Sequence, residues 1–188
     1  QDILGNSVRL REKSLNLDGS GYAEVADDAS INPTTEITIQ CWIKYNTEND
    51  KGLVAKWTAT KKDYMLYKKT NKFVLYIGTT PLESGTLPSS GWVNIAGTYN
   101  GSTMKTFING VESTSQGKTG SIPNNDNVLD IGRYAENNIY CYSERISDVL
   151  LYDTALDADE ILNNYNVGLP THSNSSSFSS DFGSDFGG

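Results

Sequence analysis

An antiparallel β-sandwich is the fold class this sequence predicts, on two observations. Apolar residues recur at every second position over short runs, and turn-forming pairs separate those runs along most of the chain. Glu36 to Lys44 reads E-I-T-I-Q-C-W-I-K, with Ile37, Ile39, Cys41 and Ile43 alternating against Thr38, Gln40, Trp42 and Lys44. Period two in a run rich in β-branched residues is the pattern of a half-buried strand.

In chain order, Leu15 to Asp18 and Tyr22 to Val25 open the series. After the Glu36 strand come Gly52 to Trp57, Tyr64 to Lys68, Lys72 to Ile77, Trp92 to Tyr99, Met104 to Ile108, Val128 to Gly132 and Ile146 to Tyr152. Asn100-Gly101 and Asn109-Gly110 bracket one of these strands. Asn-Gly between alternating runs predicts a hairpin in which both central residues take positive φ. About ten short strands with regular turns make a sandwich rather than a βαβ fold. One helix follows: Asp157-Ala158-Asp159-Glu160 has the form of a capping box, with Ile161, Leu162 and Tyr165 on one face. Gly168 is expected to end it and Pro170 to prevent its resumption.

From Pro170 onward Ser and Gly dominate and no aliphatic residue occurs, so residues 170–188 read as a low-complexity tail behind a domain of residues 1–169. Phe178, Phe182 and Phe186 recur in it every four residues. Either the tail is a flexible appendage, or it is a strap that lays three phenylalanines into a neighbouring subunit. The chain begins at Gln1, as a processed chain or a piece of something larger would.

Composition narrows function. Fifteen Lys and Arg against 23 Asp and Glu give a formal charge of −8, which argues against nucleic acid as a partner. No run approaches the ~18 apolar residues of a membrane-spanning helix. One histidine, His172, removes most His-dependent catalysis and most zinc sites. Cys41 and Cys141 allow a single bridge or two buried thiols. Charge is also uneven. Residues 51–72 hold seven lysines, Lys61, Lys62, Lys68 and Lys69 among them, against one acid, Asp63. From Asp148 to the end there are seven acids and no Lys or Arg. These are two solvated edges, or complementary surfaces that bring copies of the chain together.

Six blocks in order carry a family resemblance: L-N-L-D-G-S-G-Y-A-E-V (15–25), T-I-Q-C-W-I-K (38–44), G-W-V-N-I-A-G-T-Y-N-G-S (91–102), F-I-N-G (107–110), L-D-I-G-R (129–133) and I-S-D-V-L-L-Y-D-T-A-L-D-A-D-E-I (146–161). The chain resembles laminin-G-like, concanavalin-A-like jelly-roll domains from about Leu15 to Asn166. The resemblance implies an all-β, two-sheet antiparallel jelly roll, to which the residues themselves add one short C-terminal helix and the extended Ser/Gly/Phe tail. Trp42 and Trp92 are then expected to fill a thick sandwich, and Ala96-Gly97-Thr98 to mark a close approach of another element.

The same fold carries lectins, glycosidases, adhesion modules and virion components, so function must come from the site. Glycosidases of this resemblance place carboxylates at alternate positions of one strand, as E-x-D-x-x-E. No such run occurs here, and a non-catalytic module is expected. The resemblance points to a glycan, or a surface protein, as partner, displayed extracellularly on a cell or virion surface. Aromatic residues in or beside loops are the ligand candidates: Trp57, Tyr64, Tyr67, Tyr134, Tyr140 and Tyr142. Calcium, the cofactor such domains sometimes take, would fall to Asp18 and to Asp148. Ser147 stands where the family's Ile-Asp-Glu carries a carboxylate, which weakens that set. The second functional class is a structural surface component, such as a virion decoration or fibre protein or an extracellular filament subunit, docked through Phe178, Phe182, Phe186 and the lysine-rich edge.

Overall fold

The structure, a computed structural model, describes residues 14–134 and 140–172. Twelve strands form two six-stranded antiparallel sheets. The first sheet has the order β1 (Leu15–Asn16), β12 (Arg145–Tyr152), β3 (Ile37–Lys44), β8 (Trp92–Tyr99), β9 (Thr103–Ile108), β10 (Val111–Gly117). The second runs β2 (Ala23–Val25), β11 (Leu129–Ile131), β4 (Lys51–Trp57), β5 (Lys62–Lys69), β6 (Lys72–Ile77), β7 (Thr80–Glu83). A 3₁₀ turn, Ala29–Ile31, and one α-helix, α1 (Ala158–His172), complete the described chain.

The alternation works as the sequence implies. Ile37, Ile39, Cys41 and Ile43 of β3 pack against Tyr64 and Leu66 of β5 and Phe73, Leu75 and Ile77 of β6 in one core between the sheets. Gly97 is the close approach expected of it: a Cβ there would stand 2.8 Å from Leu75 Cδ1 of the facing sheet. At Asn109-Gly110 both residues take positive φ, 50° and 80°, as the hairpin turn between β9 and β10 requires. The Asn100-Gly101 turn differs. Only Gly101 is left-handed there (φ 82°), because the Asn100 side chain closes the loop itself, accepting from the Thr103 amide at 2.8 Å and the Ser102 amide at 3.1 Å.

Three expectations are corrected. First, β3 is buried on both faces rather than one, because α1 lies over Gln40 and Trp42 and the segment leading into it meets Thr38. The helix and the segment leading into it complete their hydrogen bonds. Thr38 Oγ1 donates to the Thr154 carbonyl (2.7 Å) and accepts from the Leu156 amide (2.8 Å). Gln40 Nε2 donates to Asn94 Oδ1 (2.8 Å), and its Oε1 accepts from Asn164 of the helix (3.1 Å). Such a satisfied polar layer fixes where the helix sits. Second, Trp42 and Trp92 belong to this helix-covered face, not to the core between sheets. The His172 ring stacks on Trp42 at 4.4 Å and meets Trp92 edge-on at 4.7 Å.

Third, the capping box forms, with Asp157 and Glu160 exchanging two 2.9 Å bonds, but the helix does not stop at Gly168. It runs to His172 with Pro170 inside it. Gly168 is there for contact rather than termination, since a Cβ would overlap the Trp42 indole nitrogen. His172 Nδ1 lies 2.8 Å from the Gly168 carbonyl and holds the last turn. Two strands escaped the pattern altogether. β7 carries Pro81, and β10, V-E-S-T-S-Q-G, is almost wholly polar; both are sheet edges, where neither feature is penalised. Cys41 and Cys141 are separate buried thiols, and burial pushes the Cys41 thiol up.

Candidate functional site

The outward faces of the two sheets differ. The first is covered in part by α1, with a cleft of about 210 Å³ left beside the helix start between Thr98, Lys105, Phe107 and Leu156. The second carries aromatic residues from β4, β5 and β6, because the positions alternating with the core residues there are Trp57, Met65, Tyr67 and Tyr76. Register brings them together: Met65 pairs with Tyr76 and Ala55 with Met65 across neighbouring strands. Tyr134 joins from the segment after β11. It is carried there by Arg133, whose guanidinium is fixed by Asp130 (2.8 Å) and Glu24 (3.4 Å) and lies 3.4 Å from the Tyr22 ring centre.

The result is a cleft of about 270 Å³ lined by Trp57, Lys62, Met65, Tyr67, Tyr76, Thr79 and Tyr134. Its rings form a continuous run. Trp57 meets Tyr76 edge-on (5.2 Å), Tyr76 meets Tyr67 (6.2 Å), Tyr67 meets Tyr134 (5.6 Å), and Tyr134 stacks on Tyr140 (4.3 Å, 26° between planes). Lys62 Nζ stands over Trp57 at 5.5 Å from the ring centre. Tyr67 donates its hydroxyl to Asp50. Burial pushes the Tyr67 phenol up, helped by that bond, and pushes Tyr134 up with help from Tyr140. Both hydroxyls therefore stay protonated through the neutral range, as donors and acceptors rather than charges.

Of the six aromatic candidates, four belong to this run: Trp57, Tyr67, Tyr134 and Tyr140. Tyr64 and Tyr142 do not. Tyr64 is 1% exposed and donates to the Ile31 carbonyl (2.8 Å); Tyr142 is fully buried and donates to the Lys44 carbonyl. They anchor loops from inside the core. The sequence reading missed Tyr76, although its signal is present: in K-F-V-L-Y-I, Phe73, Leu75 and Ile77 point inward, so Tyr76 must point out.

The lysine-rich stretch is largely neutralised within the chain, by acids both near and distant in sequence. Lys51 pairs with Glu48, Lys61 with Asp126, and Lys69 and Lys72 with Glu83. Lys56 is fully buried between Asp63 (3.1 Å) and Asp27 (3.0 Å). Lys68 is a correction: it is fully buried and faces no neighbour, its Nζ donating to the carbonyls of Lys69 (2.6 Å), Thr70 (2.7 Å) and Glu48 (3.3 Å). Burial pushes it down to about 8. Below that pH the ammonium is charged in folded and unfolded chains alike, and its burial penalty is felt in full. Between about 8 and the ordinary 10.5 the folded chain releases a proton that the unfolded chain still holds, so stability rises with pH. Urea midpoints of the wild type should accordingly climb relative to Lys68→Met between pH 8 and pH 10; a constant gap would contradict this. The three tail phenylalanines, Phe178, Phe182 and Phe186, lie outside the described residues.

The two calcium candidates do not make one site. Asp18 caps its own loop, its Oδ1 accepting from the Ser20 amide (2.9 Å), the Ser20 hydroxyl (2.7 Å) and the Gly21 amide (3.0 Å), which holds the carboxyl near 2. Asp148 stands in the irregular part of β12, with Oδ2 3.9 Å from His172 Nε2 beneath the helix. Leu17 bonds Glu144, so Asp18 lies level with Ser143, five residues of strand or about 16 Å from Asp148. Among the described residues no three His, Cys, Asp or Glu gather as metal ligands would. Asp18 and Asp148 therefore do not form one donor set.

The family profile described as the concanavalin A-like lectin/glucanases superfamily matches residues 17–162. This chain belongs to that superfamily. No curated protein sequence matches it. Among solved structures of the same fold, the binding domain of Paraclostridial Mosquitocidal Protein 1 superposes with a TM-score of 0.66 at 18% identity, over 86% of this chain and 45% of that one. Domain 4 of AbnA, a GH43 extracellular arabinanase from Geobacillus stearothermophilus solved with arabinotriose, gives 0.64 at 13%, over 82% and 77%. The CBM40 of the Ruminococcus gnavus IT-sialidase, bound to α2,3-sialyllactose, gives 0.63 at 16%, over 85% and 97%. The chain thus spans under half of the first of these and nearly all of the last. Within the superfamily, such identities carry the sandwich and not the ligand. Among the described residues no helix is long and apolar enough to cross a membrane.

Proposed function

We propose that this chain is a non-catalytic glycan-binding module whose combining site is the aromatic cleft on the outer face of the second sheet. The continuous ring run from Trp57 to Tyr140 carries the reading. Sugar rings present flat apolar C–H faces with hydroxyls at the rim, and a row of half-buried tyrosines offers both matching surfaces: ring faces and edges for the one, phenol groups for the other. The cleft lining is aromatic, aliphatic, hydroxyl and cationic, without the paired carboxylates that glycoside hydrolysis uses. Solved relatives of this fold in complex with arabinotriose and with sialyllactose support the same class of ligand, and the extracellular arabinanase among them supports display outside the cell.

Tyr134→Ala and Tyr140→Ala remove rings at the half-buried end of the run, where little of the core depends on them. Each should weaken glycan binding about tenfold, a loss of about 1.4 kcal/mol. Titration of Trp57 fluorescence or calorimetry with array-selected glycans reads this directly. Affinities equal to wild type in both variants would remove the cleft from the binding site.

A further inference from the structure

We propose that the cleft selects acidic glycans, seating a carboxylate or sulfate at its Lys62–Thr79 end while an uncharged sugar lies along Tyr134 and Tyr140. The proposal rests on the cleft being the glycan site and names the ligand class. Its starting point is the contrast among the seven lysines of residues 51–72. Lys51, Lys56, Lys61, Lys69 and Lys72 pair with carboxylates, and Lys68 is held by three carbonyls. Lys62 has neither. Among the described residues its ammonium meets only the Trp57 ring face, at 5.5 Å, and it lines the cleft beside otherwise uncharged groups. The ring holds the cation in place without neutralising it. A half-buried cation left open at a binding site attracts an anion, and the apolar walls shield that attraction from solvent.

The cleft is also polar along its length. Lys62 and Trp57 mark one end. Two rings further on, past Tyr76 (5.2 Å) and Tyr67 (6.2 Å), the Asp50 carboxylate accepts from Tyr67. An anion is favoured at the first position and repelled at the second, so one acidic residue with a neutral residue beyond it fits this charge order.

Calorimetry on the intact chain with lactose, 3′-sialyllactose and lactose 3′-sulfate, and with galactotriose against trigalacturonate, tests it. At low salt an acidic member should bind about fivefold to tenfold tighter than its neutral counterpart, and the advantage should shrink in 0.5 M NaCl. Lys62→Gln should erase the advantage whatever it does to neutral affinity, Lys62→Arg should restore it, and Lys72→Gln, outside the cleft, should leave it intact. Preference for the carboxylate series or for the sulfate identifies the natural group, and either supports the inference. Equal binding of neutral and acidic members, or an advantage that survives Lys62→Gln, overturns it while leaving the glycan site standing. Binding by no member of either series overturns the inference, and the array-selected glycans then decide separately whether the glycan site stands.

Discussion

Gly52→Ala should cost the protein about 3 kcal/mol or more and displace one wall of the cleft. Gly52 lies in β4 opposite Tyr67, and a Cβ there would overlap the Arg133 carbonyl group and the Tyr134 amide nitrogen. Those atoms are backbone, so no rotamer change relieves the clash. Overpacking usually costs about 1–3 kcal/mol, and a backbone neighbour puts this site at or beyond the upper end. Gly97→Ala is the internal comparison. Its added methyl meets the Leu75 side chain rather than backbone, and a side chain yields more readily than backbone, so a smaller loss of about 1–2 kcal/mol is expected. Urea denaturation measures both, and glycan titration follows Tyr134. If Gly52→Ala proves as stable as Gly97→Ala with unchanged binding, the β4–Arg133 packing described above is wrong.

Lys56→Met has the second large effect. Lys56 is fully buried and Asp63 is 1% exposed, so removing the ammonium strands a carboxylate where water cannot solvate it. Breaking such a pair costs about 3–5 kcal/mol. Asp63 keeps two donors from Asn125, the amide at 3.1 Å and the side-chain nitrogen, which places the loss toward the lower figure. The double variant Lys56→Met/Asp63→Leu should recover part of the stability, because it removes both buried charges, while leaving the Asn125 donors unpaired. A denaturation cycle over the four proteins reads the coupling. A loss below 1 kcal/mol for Lys56→Met would show that the pair is not buried as described.

Period-two alternation was enough to place ten of the strands, because a sandwich strand with one face in the core leaves that imprint directly on the residues. It failed where another force decides. Pro81 and the polar V-E-S-T-S-Q-G segment sit at edges that no apolar face must cover. Gly168 and Pro170 read locally as a stop, yet a glycine is what lets the helix backbone approach Trp42, a contact more than a hundred residues away in sequence. The site was legible in kind and only partly in membership. Strict alternation within β5 separates Tyr64, facing in with Leu66, from Tyr67, facing out with Met65, whereas proximity in sequence groups the two tyrosines together. Most partners of the lysines were not legible, since Asp27, Asp126 and Glu83 reach them only through the fold, whereas Glu48 and Asp63 lie close in sequence to Lys51 and Lys56.

Strand β3 sits between β8 and β12, and β12 also receives β1, with Leu15 opposite Ile146. A nascent chain emerging from the ribosome therefore carries an open β3 edge, and a bare Thr38–Gln40–Trp42 face, until synthesis has passed residue 172. Closure of the first sheet waits for long-range pairing, the slow kind of step in folding. That interval exposes a sticky hydrogen-bonding rim to other unfinished chains, so aggregation during expression should be governed by how quickly β12 and α1 arrive.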